Sequence, residues 1–132
     1  MPNVYVIGRE REYENMFIHM GWGISKDPDG ADVIQFTGGA DVNPQLYGET
    51  LHPNSNINAA RDDMEKEIFD KYYAKNHMAG ICRGGQFLNV MCGGKMYQHQ
   101  SGHPYIHRAW VYSKMLSLNV SSTHHQVMIP NV

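Results

Sequence analysis

The chain has 132 residues, a formal net charge of −2 and 42% hydrophobic residues. That length suits one domain with a real core, and the charge gives no reason to expect nucleic acid or an anionic membrane as partner. No apolar run approaches the ~20 residues of a membrane span. The opening Met-Pro-Asn-Val-Tyr-Val is not read as a signal peptide, since it lacks a basic region and a long apolar one.

Val4–Gly8 is a short apolar run ending in glycine and predicts the first strand of a parallel sheet. From Arg9 to Met20, residues Tyr13, Met16, Phe17 and Met20 recur at helical spacing, and Gly21-Trp22-Gly23 ends that helix. Lys26–Gly30 is a turn. Val33–Thr37 is the second strand, with Gly38-Gly39 at its C-terminal end. Ligands of open α/β sheets bind at such strand ends, and glycine lets backbone approach a ligand closely. Gln45–Asn58 is polar and loop-like. Asn58–Asn76 predicts a long helix with an apolar stripe of Met64, Ile68, Phe69 and Tyr72. Asp62 and Asp63 sit at its positive end, Lys71 and Lys75 near the other. For Arg61, Asp62 and Glu65, helix capping and ion pairing compete with a role toward substrate.

His77–Ile81 returns as a strand, so Val33–Ile81 is a βαβ unit with a right-handed crossover. Gly84–Cys92 is a short helix, with Phe87, Leu88 and Met91 at helical spacing and Gly93-Gly94 as its stop. Gly93–Gln98 starts an extended segment, and His99–His107 is a histidine-rich loop. Trp110–Lys114 and Met115–Ser121 predict two short strands added antiparallel at the sheet edge. Thr123–Gln126 is a loop and Val127–Pro130 is apolar. No repeat or second domain interrupts residues 1–132. The cysteines, Cys82 and Cys92, fall at opposite ends of one predicted helix. At about 1.5 Å of rise per residue they are too far apart to bridge. Unbridged cysteines fit a reducing compartment, so a cytoplasmic location is expected.

Cys82 sits where the third strand turns into a helix, in the frame Gly80-Ile81-Cys82-Arg83-Gly84. This is G-x-S-x-G with sulfur in place of oxygen, the pattern of a nucleophile on a sharp strand-to-helix turn. A helix N-terminus carries about half a positive charge and unpaired N–H donors. Both favour thiolate, the attacking species. The N–H of Arg83 can donate to an oxyanion formed on an acyl group. A buried packing cysteine needs no such frame of glycines.

The run Gly80–Gln86 resembles the nucleophile motif of class I glutamine amidotransferases, and most of all the branch of γ-glutamyl hydrolases. Two further stretches are similar to the same branch: Thr37–Pro44 with Tyr47-Gly48-Glu49, and Ser122-Thr123-His124-His125-Gln126. The resemblance implies a three-layer α/β/α sandwich, flavodoxin-like, with a mostly parallel sheet. It implies hydrolysis of a γ-glutamyl amide through a γ-glutamyl thioester on Cys82, with no cofactor. It gives Gly39 the second oxyanion N–H beside Arg83, gives Gln86 a part in holding substrate, and gives His124, His125 and Gln126 the substrate's α-amino and α-carboxylate groups. The expected partner is a small γ-glutamyl substrate or glutamine.

One departure stands out. The branch's catalytic histidine lies in a His-Pro-Glu-like segment after a further strand, and no such segment follows Gln126. His103-Pro104 is followed by Tyr105 and lies upstream. Three explanations stay open: a chain that is part of a longer protein, a different histidine such as His125 as base, or a domain that binds without turnover. The last is a noncatalytic glutamine- or γ-glutamyl-binding module. A glutaminase subunit that feeds ammonia to a synthetase partner is a further reading, and a homo-oligomer is also compatible. Metal binding by His99, His103 and His107 at four-residue spacing is disfavoured. Gly102 and Pro104 break the helix it needs, and no cysteine or carboxylate completes a set.

Overall fold

A computed structural model describes residues 1–102 and 105–131. Its centre is a four-stranded sheet built from β1 (Asn3–Val6), β2 (Gly23–Ile24), β3 (Val33–Phe36) and β4 (His77–Gly80). The strand order is β2-β1-β3-β4, and every pairing is parallel. Three helices connect or follow these strands: α1 (Arg11–His19), α2 (Ala59–Tyr72) and α3 (Arg83–Met91).

The layers follow from the two-residue period of the strands. Val4 and Val6 pack with Phe17 of α1 and with Trp22, while Tyr5, Ile34 and Phe36 pack with Phe69 and Tyr72 of α2 and Phe87 and Val90 of α3. Helices thus cover both faces of a parallel sheet, the flavodoxin-like α/β sandwich. Phe36 and Phe87 are fully buried and stacked with centroids 5.5 Å apart. Each such side chain contributes roughly 1.5–3 kcal/mol by leaving water. Phe36 is in register with Gly80. That alignment sets the turn after β3 beside the turn after β4.

Four expectations need correction. The first helix starts at Arg11, because Ile7–Arg9 form a 3-10 turn with Gly8 and Arg9 at positive φ. The short edge strand β2 was hidden inside what reads as a helix stop. On α2, Phe69 and Tyr72 face inward, but Met64 is 41% exposed while Asp62 and Glu65 are 1% and 0% exposed. The inward face is therefore partly ionic, a pattern that an apolar stripe cannot reveal. Lastly, the predicted strand pair does not extend the sheet. After β5 (Lys95–Tyr97), strands β6 (Ile106–Val111) and β7 (Leu116–Ser121) form a separate antiparallel hairpin. Tyr112–Lys114 are its turn, closed by Met115 in the left-handed region. β5 pairs instead with β8 (Val127–Ile129), against α3.

Candidate active site

Cys82 has φ 55° and ψ −121°, a corner between β4 and α3 that leaves the thiol exposed. The flanking glycines are a packing requirement. A Cβ on Gly80 would collide with the backbone of Gly84 and Gly85, and one on Gly84 would collide with the Phe36 carbonyl. Without them α3 cannot lie down on the strand ends. Cys92 is also free and exposed, as its distance along α3 implied.

The neighbouring turn reaches Cys82 closely. A Cβ built on Gly38 would stand 3.8 Å from the Cys82 Cβ. The Gly38 N–H donates to the Tyr13 hydroxyl at 2.9 Å. Gly39 has φ +134° and is exposed. Among the described residues, the amides of Gly39 and Arg83 have no hydrogen-bond partner. These are the two N–H groups the sequence reading assigns to an oxyanion.

The side chain of Arg83 turns away from this face. It is 1% exposed, pairs with Asp62 and Glu65, and lies over the Phe87 ring with its guanidinium carbon 5.2 Å from the centroid. Burial pushes the Asp62 carboxyl above its ordinary pKa, and the Arg83 guanidinium pulls against that rise. Arg61 joins the same lattice. Its Nε donates to Glu65 at 2.7 Å, its Nη1 to the Gly38 carbonyl at 2.7 Å, and its Nη2 to the Thr37 carbonyl and hydroxyl at 3.1 and 2.9 Å. The ion-pair reading of Arg61, Asp62 and Glu65 is thus the one realised. Sequence reasoning missed that their partner is the residue beside the nucleophile.

Cys82 opens onto a cavity of about 510 Å³ lined also by Gln86, Ser122, His124, Gln126 and Met128. Gln86 Nε2 donates to the Gln126 carbonyl at 3.3 Å. His124 Nδ1 lies 2.8 Å from the same oxygen. A carbonyl can only accept, so in this contact His124 donates from Nδ1. Gln126 is fully buried, and its Oε1 has no hydrogen-bond partner among the described residues.

His125 behaves differently from its neighbour. It is absent from the cavity lining. Its Nε2 lies 3.1 Å from Asp41 Oδ2 and its Nδ1 3.2 Å from His99 Nδ1, while His99 stacks on His52 at 5.3 Å. Asp41 and His52 had no role in the sequence reading; only tertiary structure brings their loops together. The helical face imagined for His99, His103 and His107 does not exist: His99 is in a loop, His107 is on β6, and His103 lies outside the described residues. Among the described residues no group of three or more His, Cys, Asp or Glu side chains is placed to hold a metal.

A helix-flanked parallel sheet with a cysteine at a positive-φ strand–helix corner defines the class I glutamine amidotransferase-like proteins. The comparisons sharpen this. Residues 28–131 match the Peptidase C26 family, and the chain belongs to it. It is 38% identical over 96 residues to the "Putative glutamine amidotransferase" of Schizosaccharomyces pombe, covering 69% of this chain and 38% of that protein. It is 45% identical over 74 residues to the "Putative glutamine amidotransferase-like protein YvdE" of Lactococcus lactis, covering 53% of this chain and 30% of that one. Protein NtpR of Enterococcus hirae is 37% identical over 78 residues, covering 58% and 33%. The chain thus spans 30–38% of the length of these relatives. Among the described residues no helix is long and apolar enough to cross a membrane.

Proposed function

We propose that this chain hydrolyses γ-glutamyl amides, with Cys82 as nucleophile. The observation that carries the reading is the shared cavity: an exposed cysteine at the start of α3 opens onto the same space as Gln86, His124 and Gln126. The Cys82 thiolate adds to the side-chain amide carbonyl. The resulting oxyanion takes hydrogen bonds from the N–H groups of Gly39 and Arg83. The C–N bond then breaks, leaving a γ-glutamyl thioester, and the departing amine takes a proton. Water cleaves the thioester and returns the thiol. The histidine on the cavity wall is His124.

The substrate's α-amino and α-carboxylate groups meet His124 and Gln126 on the cavity wall. Gln86 is committed to the Gln126 backbone, so it holds the binding loop. His125, tied to Asp41 and His99, steadies that loop from outside. The partner is a small molecule carrying a free glutamyl head, and the location is cytoplasmic.

The test measures release of ammonia from glutamine, and of p-nitroaniline from γ-glutamyl-p-nitroanilide, by the wild type and by Cys82→Ala. Turnover that vanishes in the variant, with a thioester trapped on Cys82 by mass spectrometry, supports the enzyme. Saturable glutamine binding with no turnover in either protein replaces it with the binding module. Co-purification with a stoichiometric synthetase that raises turnover points to an ammonia-supplying subunit.

A further inference from the structure

A buried arginine, Arg83, and a half-buried one, Arg61, flank one carboxylate beneath the candidate oxyanion site. Glu65 gives Oε1 to Arg61 and Oε2 to Arg83, and its side chain is 0% exposed. Arg61 grips the turn after β3 by two successive carbonyls, Thr37 and Gly38. Arg83 is the first residue of α3, so its backbone N–H belongs to the turn after β4. The chain Thr37/Gly38–Arg61–Glu65–Arg83 is thus a continuous hydrogen-bonded strut between the two turns, beside the backbone bond from the Ile81 N–H to the Phe36 carbonyl at 3.2 Å.

The strut also decides which amide stays available. Tyr13 takes the Gly38 N–H and Arg61 takes the Gly38 C=O, so both polar groups at Gly38 are committed. Gly39 follows at φ +134°, and a Cβ there would run into the Arg61 guanidinium. The next amide along, that of Gly39, is left without a partner among the described residues.

We propose that Arg61, with Tyr13 on the opposite side, is a positioning residue that fixes the orientation of the Gly39 N–H and its spacing from the Arg83 N–H. The inference rests on the γ-glutamyl hydrolase reading. Neither residue touches substrate. Each acts through the peptide of the turn, so its effect appears when negative charge develops on the carbonyl oxygen, and not when substrate binds.

The experiment compares wild type, Arg61→Ala and Tyr13→Phe on γ-glutamyl-p-nitroanilide and, separately, in alkylation of Cys82 by iodoacetamide, which builds no oxyanion. Arg61→Ala is expected to lower kcat about 100-fold with KM within about twofold, the size of losing one oxyanion donor. Tyr13→Phe is expected to lower kcat about tenfold with the same split. Alkylation stays within about twofold of wild type in both. Tyr13→Phe deletes only a hydroxyl, so it decides the matter if Arg61→Ala does not fold. Unchanged kcat in a folded variant, or kcat and alkylation falling together, overturns the positioning role while leaving the hydrolase intact. Wild-type protein without turnover overturns both.

Discussion

Beneath Cys82 the chain buries Asp62, Glu65 and Arg83, and half-buries Arg61, in one lattice anchored to a helix and two strand ends. Beside Gln126 it strings His52, His99 and His125 along loops, ending on Asp41. The lattice is dry at Asp62, Glu65 and Arg83, with Arg61 at its rim 20% exposed, and every charge in it has an opposite neighbour. The histidine ladder is partly wet: the His125 and Asp41 side chains are 23% and 17% exposed. Removing one partner from a buried ionic group strands a charge and costs about 3–5 kcal/mol. Loosening an exposed pair costs about 1 kcal/mol or less. The same task, holding a loop in place, is therefore coupled tightly to folding on one side of the cavity and weakly on the other.

The sharpest way to set this contrast against chemistry is Cys82→Ala. It is expected to abolish turnover while leaving both frameworks standing, seen as unchanged near-ultraviolet circular dichroism. Glu65→Ala comes next. It leaves Arg61 and Arg83 facing each other without their shared anion, and urea unfolding should show a loss of about 3–5 kcal/mol. His125→Ala should cost about 1 kcal/mol or less but raise KM several-fold, because Gln126 loses the support of its neighbour. A His125 variant less stable than the Glu65 variant would break the comparison. Smallest is Lys66→Ala, which removes an exposed i,i+4 pair with Asp70; about 0.3–0.5 kcal/mol is expected, with turnover unchanged.

Asp62 gives the lattice a pH signature. Burial, outweighing Arg83, raises its folded-state pKa above 3.8. The folded chain therefore binds this proton more tightly than the unfolded one. Its contribution to stability is complete below 3.8 and is lost as pH rises through the folded value. Thermal melts of Asp62→Asn should lack that decline relative to wild type as pH is raised from the acid side.

The two frameworks were unequally legible in the sequence. The corner at Cys82 was readable because its glycines are local: Gly80 and Gly84 must be small for α3 to reach Phe36 and the strand end. The turn at Gly38-Gly39 was readable from its place after a buried strand. The lattice was half readable. Charges on one helix suggested pairs, but nothing in the spacing of Asp62 and Glu65 says that they face inward toward a residue 21 and 18 positions away. Of the apolar stripe, Met64 alone points outward, while Ile68 packs against the core. The ladder was not readable, since Asp41, His52, His99 and His125 belong to separate loops whose meeting depends on the whole fold. The hairpin β6–β7 failed as a sheet extension for a related reason: alternation announces a strand but does not name its neighbour.

The backbone at Cys82 carries one more consequence. A side chain at φ 55° and ψ −121° is held where L-residues rarely settle. Natural selection for a sturdier chain would put glycine there, and Cys82→Gly should melt higher, by on the order of 1 kcal/mol. Under the proposed chemistry, the most durable version of this chain and the hydrolytic one are different molecules.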